Sequence, residues 1–335
     1  MKAIAGKPIS TAFAQVRSIE LVSRVSQLNW ECTWLSGGSI ATILSSAENG
    51  WVNTLLTPAF DSLVDLVGDG GVVILSGAGI STDSGIPDYR GPSGALRRHT
   101  PMTYQTFMKD PEARHRYWAR SYLGWRQMKR ARPNPAHEAV AGLQKQGLVE
   151  GIITQNVDGL HQAAGATGVI ELHGGLDRAI CLNCGRLSDR TDLDRRLHAA
   201  NPDFTARAEA VNPDGDVDLA EDELAGFVMV ACPHCGEGPL KPDVVFFGET
   251  VPRPRVDACF ARLERAGSLL ILGSSLKVMS GFRFVLQARK SGIPVAIVNQ
   301  GETRGDGYCD IRLDAPLGEV LPALDHAMTA KSMIN

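Results

Sequence analysis

Apolar residues along this chain gather in short unbroken runs, each followed within a few residues by small or polar ones. VVIL at 72–75 is the first, and the sequence SGAG follows it at once. A run with no polar alternation reads as a strand buried on both faces. Similar runs lie at 151–154 (GIIT), 168–172 (GVIEL), 269–272 (LLIL) and 294–298 (PVAIV). Between them the spacing changes to that of a helix. It does so at 58–67, across the aromatic and basic stretch 104–128, at 137–146 after the break RPNPAH, and near 281–290. Strands alternating with helices predict an α/β fold with a mostly parallel sheet. In such sheets the ligand crevice lies beyond the carboxyl ends of the strands. Residues 181–235 keep no steady period. Residues 1–50 are Ser-rich and nearly free of acids, and read as an extension with little fixed structure.

Composition narrows the class only modestly. The chain has 335 residues, enough for two domains or one large domain with an insertion. A net charge of −3 implies no general attraction to nucleic acid or to a membrane surface. No apolar run approaches the roughly 18 residues of a membrane-crossing helix.

The cysteines change the picture more. Four of the seven form two close pairs, Cys181-x-x-Cys184 and Cys232-x-x-Cys235. In a chain without a secretory signal, this favours a metal over disulfides and a reducing, cytoplasmic setting. Organellar targeting by residues 1–50 stays open. The 47 residues between the pairs make a long gap, but Gly185 and Gly236 each follow a pair directly. That is the knuckle turn that aims backbone N–H groups at sulfur. Four thiolates leave Zn²⁺ no open position, so the metal is expected to be structural.

The strand ends carry the candidate chemistry. Gly77, Ala78 and Gly79 permit a tight turn and a close backbone approach to a nucleotide. The usual third glycine is replaced by Thr82, and ALRRHT at 95–100 holds no acid to grip a ribose. This argues against a hydride-transfer enzyme. Gln155, Asn156 and Asp158 crowd one later loop, Gly273, Ser274 and Ser275 a second, and Asn299, Gln300 and Gly301 a third. His173 ends an apolar run and precedes Gly174 and Gly175. An imidazole titrating near 6.5 in such a place suits a general base.

The motifs GAGISTDSGIPDYRG, TQNVDGLH, ELHGG, the two C-x-x-C pairs, LKPDVVFFGE, GSSLKV and VNQG stand in the order found in sirtuins. The chain resembles an NAD-dependent protein lysine deacylase of that family over roughly residues 58–325. NPDGDVDL and LKPDVVFFGETV resemble the mitochondrial class II branch. The resemblance implies a Rossmann-like sheet with a small zinc-ribbon and helical insertion domain. The extension would be 1–50 and the catalytic domain 51–335. The large lobe would take 55–100, 135–178 and 240–330. The small lobe would take a helical insert at 101–134 and the zinc module at 179–239.

It also implies roles. Gly77, Ala78 and Gly79 would approach the pyrophosphate of NAD. Asp88, Tyr89 and Arg90 would belong to a flap over the reactive half. Gln155, Asn156 and Asp158 would line the nicotinamide pocket. Gly273, Ser274 and Ser275 would hold phosphate and ribose. Asn299, Gln300 and Gly301 would hold the adenosine ribose, with Cys309 beside the adenine. His173 and Asn156 would be catalytic. NAD would be consumed, giving nicotinamide, O-acyl-ADP-ribose and free lysine. Acylated-lysine proteins would dock as a strand between 244–249 and 275–278, touching Val245, Phe247, Gly248, Glu249, Leu276 and Val278. Val245 and Phe247 would line the acyl tunnel. The expected state is a monomer with one structural Zn²⁺. Mono-ADP-ribosyl transfer from the same pocket is the alternative. Tyr117 and Arg120 have the spacing of the pair that reads acidic acyl groups in some sirtuins, but here they read as surface positions on a helix.

Overall fold

In the computed structural model, the described residues are 57–90, 100–206, 212–217 and 226–334, with 55, 94, 219 and 224. The N-terminal extension lies outside them. Helix α1 (Pro58–Gly68) starts where the Thr57 side chain accepts from the Phe60 N–H, with Pro58 preset for the first turn. Its Phe60, Leu63 and Val67 face inward and lead to strand β1 (Val72–Ser76), which is buried along its whole length. The helical insert is two helices, α2 (Tyr104–Lys109) and α3 (Pro111–Met128). They part at Asp110, whose side chain caps α3. Helix α4 (Pro135–Lys145) returns the chain to β2 (Val149–Thr154).

The second half repeats the alternation around an insertion. After the short α5 (Leu160–Ala163) and β3 (Ile170–Glu171) come β4 (Gly174–Cys181), β5 (Leu187–Asp189) and α6 (Arg190–Ala200). Then follow β6 (Leu240–Val244), α7 (Arg253–Leu263), β7 (Ser268–Leu272), α8 (Met279–Lys290), β8 (Val295–Val298), β9 (Ile311–Leu313) and α9 (Leu317–Ile334). Six strands form one sheet in the order β3-β2-β1-β7-β8-β9, all parallel, as the apolar runs require. Strands β5-β4-β6 form a separate antiparallel sheet.

The winding reverses between β1 and β7, which are neighbours. This is the switch point at which open α/β sheets bind ligands. The turns after the two strands are in contact. Gly77 N donates to Leu272 O at 2.9 Å and Gly79 N to Gly273 O at 2.8 Å. A Cβ at Gly77 would lie 2.8 Å from Gly273 O. Gly273 has φ +60°, and its own Cβ would meet Ile80 N at 2.6 Å. Larger residues at either place would push the two turns apart.

The small lobe packs around α3. Tyr117 is 1% exposed, with its ring edge-on to Phe107 and Phe246 at 5.5 and 5.2 Å. It is therefore not a surface position, because α3 is covered on more than one side. Helix α6 was not legible in the aperiodic span. Its Arg190 is 1% exposed, donates to Ser121 O at 3.1 Å and lies against the rings of Trp118 and Trp125.

Candidate active site

Two cavities open at the carboxyl ends of the large sheet. The first, about 500 Å³, is walled by Ala78 and Gly79, Asp88 to Arg90, Gly273 to Ser275, and Asn299 to Glu302. The second, about 420 Å³, is walled by Gln155, Asn156, Asp158 and His173, by 244–251, and by Val278, Met279, Ser280 and Arg283. Ala78, Tyr89 and Arg90 line both, so the two chambers meet at these residues. Nearly all the motif residues thus converge. Gly77, Leu276 and Cys309 lie outside these walls. The backbone of Leu276 is left-handed at φ +54° and its side chain is 1% exposed. The Cys309 thiol donates to Asp306 O at 3.3 Å.

The floor is a connected polar network. Gln155 Nε2 donates to Ser274 Oγ at 2.8 Å, joining the β2 and β7 loops. Asn156 Nδ2 donates to Gly77 O at 3.1 Å and Ser81 Oγ at 3.0 Å. The Ser81 hydroxyl donates to Asp158 Oδ2 at 2.7 Å, and Leu160 N donates to Oδ1 at 2.9 Å. Burial pushes the Asp158 carboxyl up, against the pull of these two donors. The Asn299 amide turns onto its own loop, donating to Gln300 O and Gly301 O at 2.8 and 2.9 Å.

His173 projects into the second cavity with both ring nitrogens engaged. Nδ1 lies 2.9 Å from Gln155 O and Nε2 lies 2.8 Å from Ser280 Oγ. A carbonyl only accepts, so Nδ1 carries the proton and Nε2 keeps its lone pair. Burial lowers the pKa. The Gln155 bond opposes this, and the charges of Arg255 and Arg283 add to the lowering. The ring is therefore a neutral base at neutral pH.

The wall at 244–249 is pinned in place. Val245 N donates to His173 O at 2.8 Å, and Tyr104 N to Phe247 O at 2.9 Å. Gln105 Nε2 donates to Gly248 O at 3.0 Å. Glu249 accepts from Phe246 N at 2.8 Å and pairs with the buried Lys241 at 3.0 Å. The Phe247 ring meets Tyr89 edge-on at 5.9 Å.

The four paired cysteines come together apart from these cavities. Their sulfurs all lie within 4.8 Å of one another, with Cys181–Cys235 at 3.7 Å and Cys184–Cys232 at 3.8 Å. A disulfide needs about 2.05 Å, whereas Zn–S bonds of about 2.3 Å in a tetrahedron set sulfurs about 3.8 Å apart. Cys184 N, His234 N and Gly238 N point at sulfur at 3.5, 3.4 and 3.4 Å. The donor set fits a closed Zn²⁺ site, and the knuckle glycines Gly185 and Gly236 have φ +69° and +76°.

Residues 77–280 match the Sir2 family. The chain belongs to that family. It is 60% identical over 259 residues to NAD-dependent protein deacetylase 1 of Streptomyces coelicolor, spanning 77% of this chain and 86% of that one. It is 45% identical over 257 residues to NAD-dependent protein lipoamidase sirtuin-4, mitochondrial, of Bos taurus, spanning 76% and 81%. Among solved structures, one described as Sir2-p53 peptide-NAD+ is 30% identical with a TM-score of 0.63, covering 82% of this chain and 98% of that one.

Positions that tie this sirtuin's site loops together escaped the sequence reading. Ser81 bridges Asn156 and Asp158, and Ser280 meets His173 across 107 residues. Serine is ordinary in loops and first turns, so neither carried a signal. Asn134 is a third such position. It caps α4 through Oδ1 and grips Ile80 O and Ser84 Oγ through Nδ2 at 2.8 and 3.0 Å.

Proposed function

We propose that this sirtuin is an NAD-dependent protein lysine deacylase, releasing nicotinamide, O-acyl-ADP-ribose and free lysine. The observation that carries the reading is the unprotonated Nε2 of His173, bonded only to the Ser280 hydroxyl, in the same cavity as Asn156 and Asp158. The first cavity would take the adenosine half of NAD against Gly79, Ser274 and Asn299. The second would take nicotinamide against Asn156 and Asp158, and the acyl chain between Val245, Phe247 and Val278. Bound NAD supplies an activated glycosidic carbon for the acyl oxygen to attack.

The chain's own residues do the rest. The buried polar floor orients the dinucleotide, and the flap at Tyr89 and Arg90 shields it from water. His173 takes a proton from a ribose hydroxyl at Nε2 while Nδ1–H stays on Gln155 O. Neither Tyr117 nor Arg120 lines the cavity, which supports a neutral acyl group, acetyl or longer, over succinyl or malonyl. The likeness to sirtuin-4 supports the class II branch.

The test is a panel of acyl-lysine peptides incubated with NAD. Nicotinamide released mole for mole with deacylated peptide is expected. Nicotinamide release with the ADP-ribose label retained on protein would instead mark a mono-ADP-ribosyltransferase. No release with any peptide ends the reading.

A further inference from the structure

We propose that Ser280 is a positioning residue for the base, steadying the His173 ring before proton uptake and accepting from Nε2–H after it. This rests on the deacylase reading. Ser280 lies in the first turn of α8, is 9% exposed, and places its Oγ 2.8 Å from Nε2. With Nδ1–H committed to Gln155 O, the hydroxyl must donate to Nε2 in the resting site.

The need for such a partner follows from what surrounds the ring. When the Ser280 hydroxyl releases the Nε2 lone pair and a ribose O–H breaks to form N–H there, the ring becomes a buried cation. Both nitrogens are already taken, by a carbonyl and a hydroxyl, so neither meets a carboxylate. Arg283 on α8 and Arg255 on α7 bear on the ring with like charge, and Asp243 partly offsets Arg255 at 3.7 Å. Arg90, Asp158, Asp214 and Glu249 are the other charged walls. Asp158 is held by Ser81 and Leu160, and Glu249 by Lys241. A hydroxyl can turn from donor to acceptor, so Ser280 serves both charge states. Its bond to the cation is the stronger of the two.

The test is Ser280→Ala, with Ser280→Thr as the variant that keeps the hydroxyl. In the alanine variant, O-acyl-ADP-ribose formation should fall roughly ten- to hundred-fold, the value of one charge-assisted bond. Exchange of labelled nicotinamide into NAD, which precedes base action, should persist. The acid limb of kcat/KM should move to lower pH, because the cation loses more than the neutral ring does. Threonine should restore rate and limb. An alanine variant that forms product at the full rate would overturn the proposal. So would one that loses exchange and product equally, or whose acid limb stays fixed. Wild-type protein that releases no nicotinamide would defeat the deacylase reading itself.

Discussion

At the scale of single residues, the base is defined by its tautomer. Gln155 O fixes the proton on Nδ1, and burial keeps the ring neutral below the usual imidazole range. The rate should therefore hold as pH falls through 6.5 and drop only on the acid side of it, in a kcat/KM profile. His173→Ala should lower deacylation by about 10²–10⁴-fold, measured as O-acyl-ADP-ribose formed. The sequence displayed His173 between a strand and two glycines, which made it a candidate base. It did not display Ser280 or Ser81, whose meaning depends on partners 107 and 77 residues away. Tyr117 shows the converse. It read as a surface position on a helix, yet packing against Phe246 decides its place.

At the scale of elements, Asn134 ties helix α4 to the segment that follows the glycine turn. Its Oδ1 accepts from Ala136 N and His137 N, while Nδ2 holds the backbone just after the glycine turn. Asn134→Ala should cost about 1 kcal/mol of stability from the lost cap and raise KM for NAD. Asn134→Asp keeps the capping oxygen but loses both donated bonds, so it should raise KM with a smaller loss in a urea melt. The same helix start sets a pH dependence. Burial lowers His137 to about 4 and His161 to about 3. Both folded values lie below the unfolded 6.5, so the unfolded chain binds more protons in between. Their contribution is complete above about pH 6.5 and is lost as pH falls toward 4 and 3, by up to about 1.4 kcal/mol per pH unit per ring. Urea midpoints should fall from pH 7 to pH 5, and His137→Asn should flatten that slope. Strands β1, β2, β7 and β8 were legible because burial on both faces leaves unbroken apolar runs, whereas the three-residue edge strand β9, only partly buried, leaves no such run and was missed. Helix α6 was not, since its buried Arg190 reads as polar and its apolar face is only Leu193 and Leu197.

At the scale of the whole molecule, the cysteine cluster joins the strands that carry the site. Strand β4 starts next to His173 and ends at Cys181, and β6 runs antiparallel to it into the 244–249 wall. Chelation should release one zinc per chain and lower the melting temperature. Cys235→Ser should bind less zinc by elemental analysis and lose deacylation along with stability. The pairing Cys181–Cys235 and Cys184–Cys232 crosses between the two motifs. The sequence announced a four-cysteine site, and the fold brings the four sulfurs within 4.8 Å of one another.

Tyr89 and Arg90 border both chambers, which makes them a shared partition. A compound seated in one chamber presses on this partition from one side, whereas a compound spanning both clamps it. Joining an adenosine-like fragment to an acyl-lysine mimic should therefore bind far more tightly than either piece, because the first end to land brings the second to its chamber at high local concentration. The architecture thus invites bisubstrate inhibitors whose linker crosses at Ala78, Tyr89 and Arg90, the residues that border both chambers.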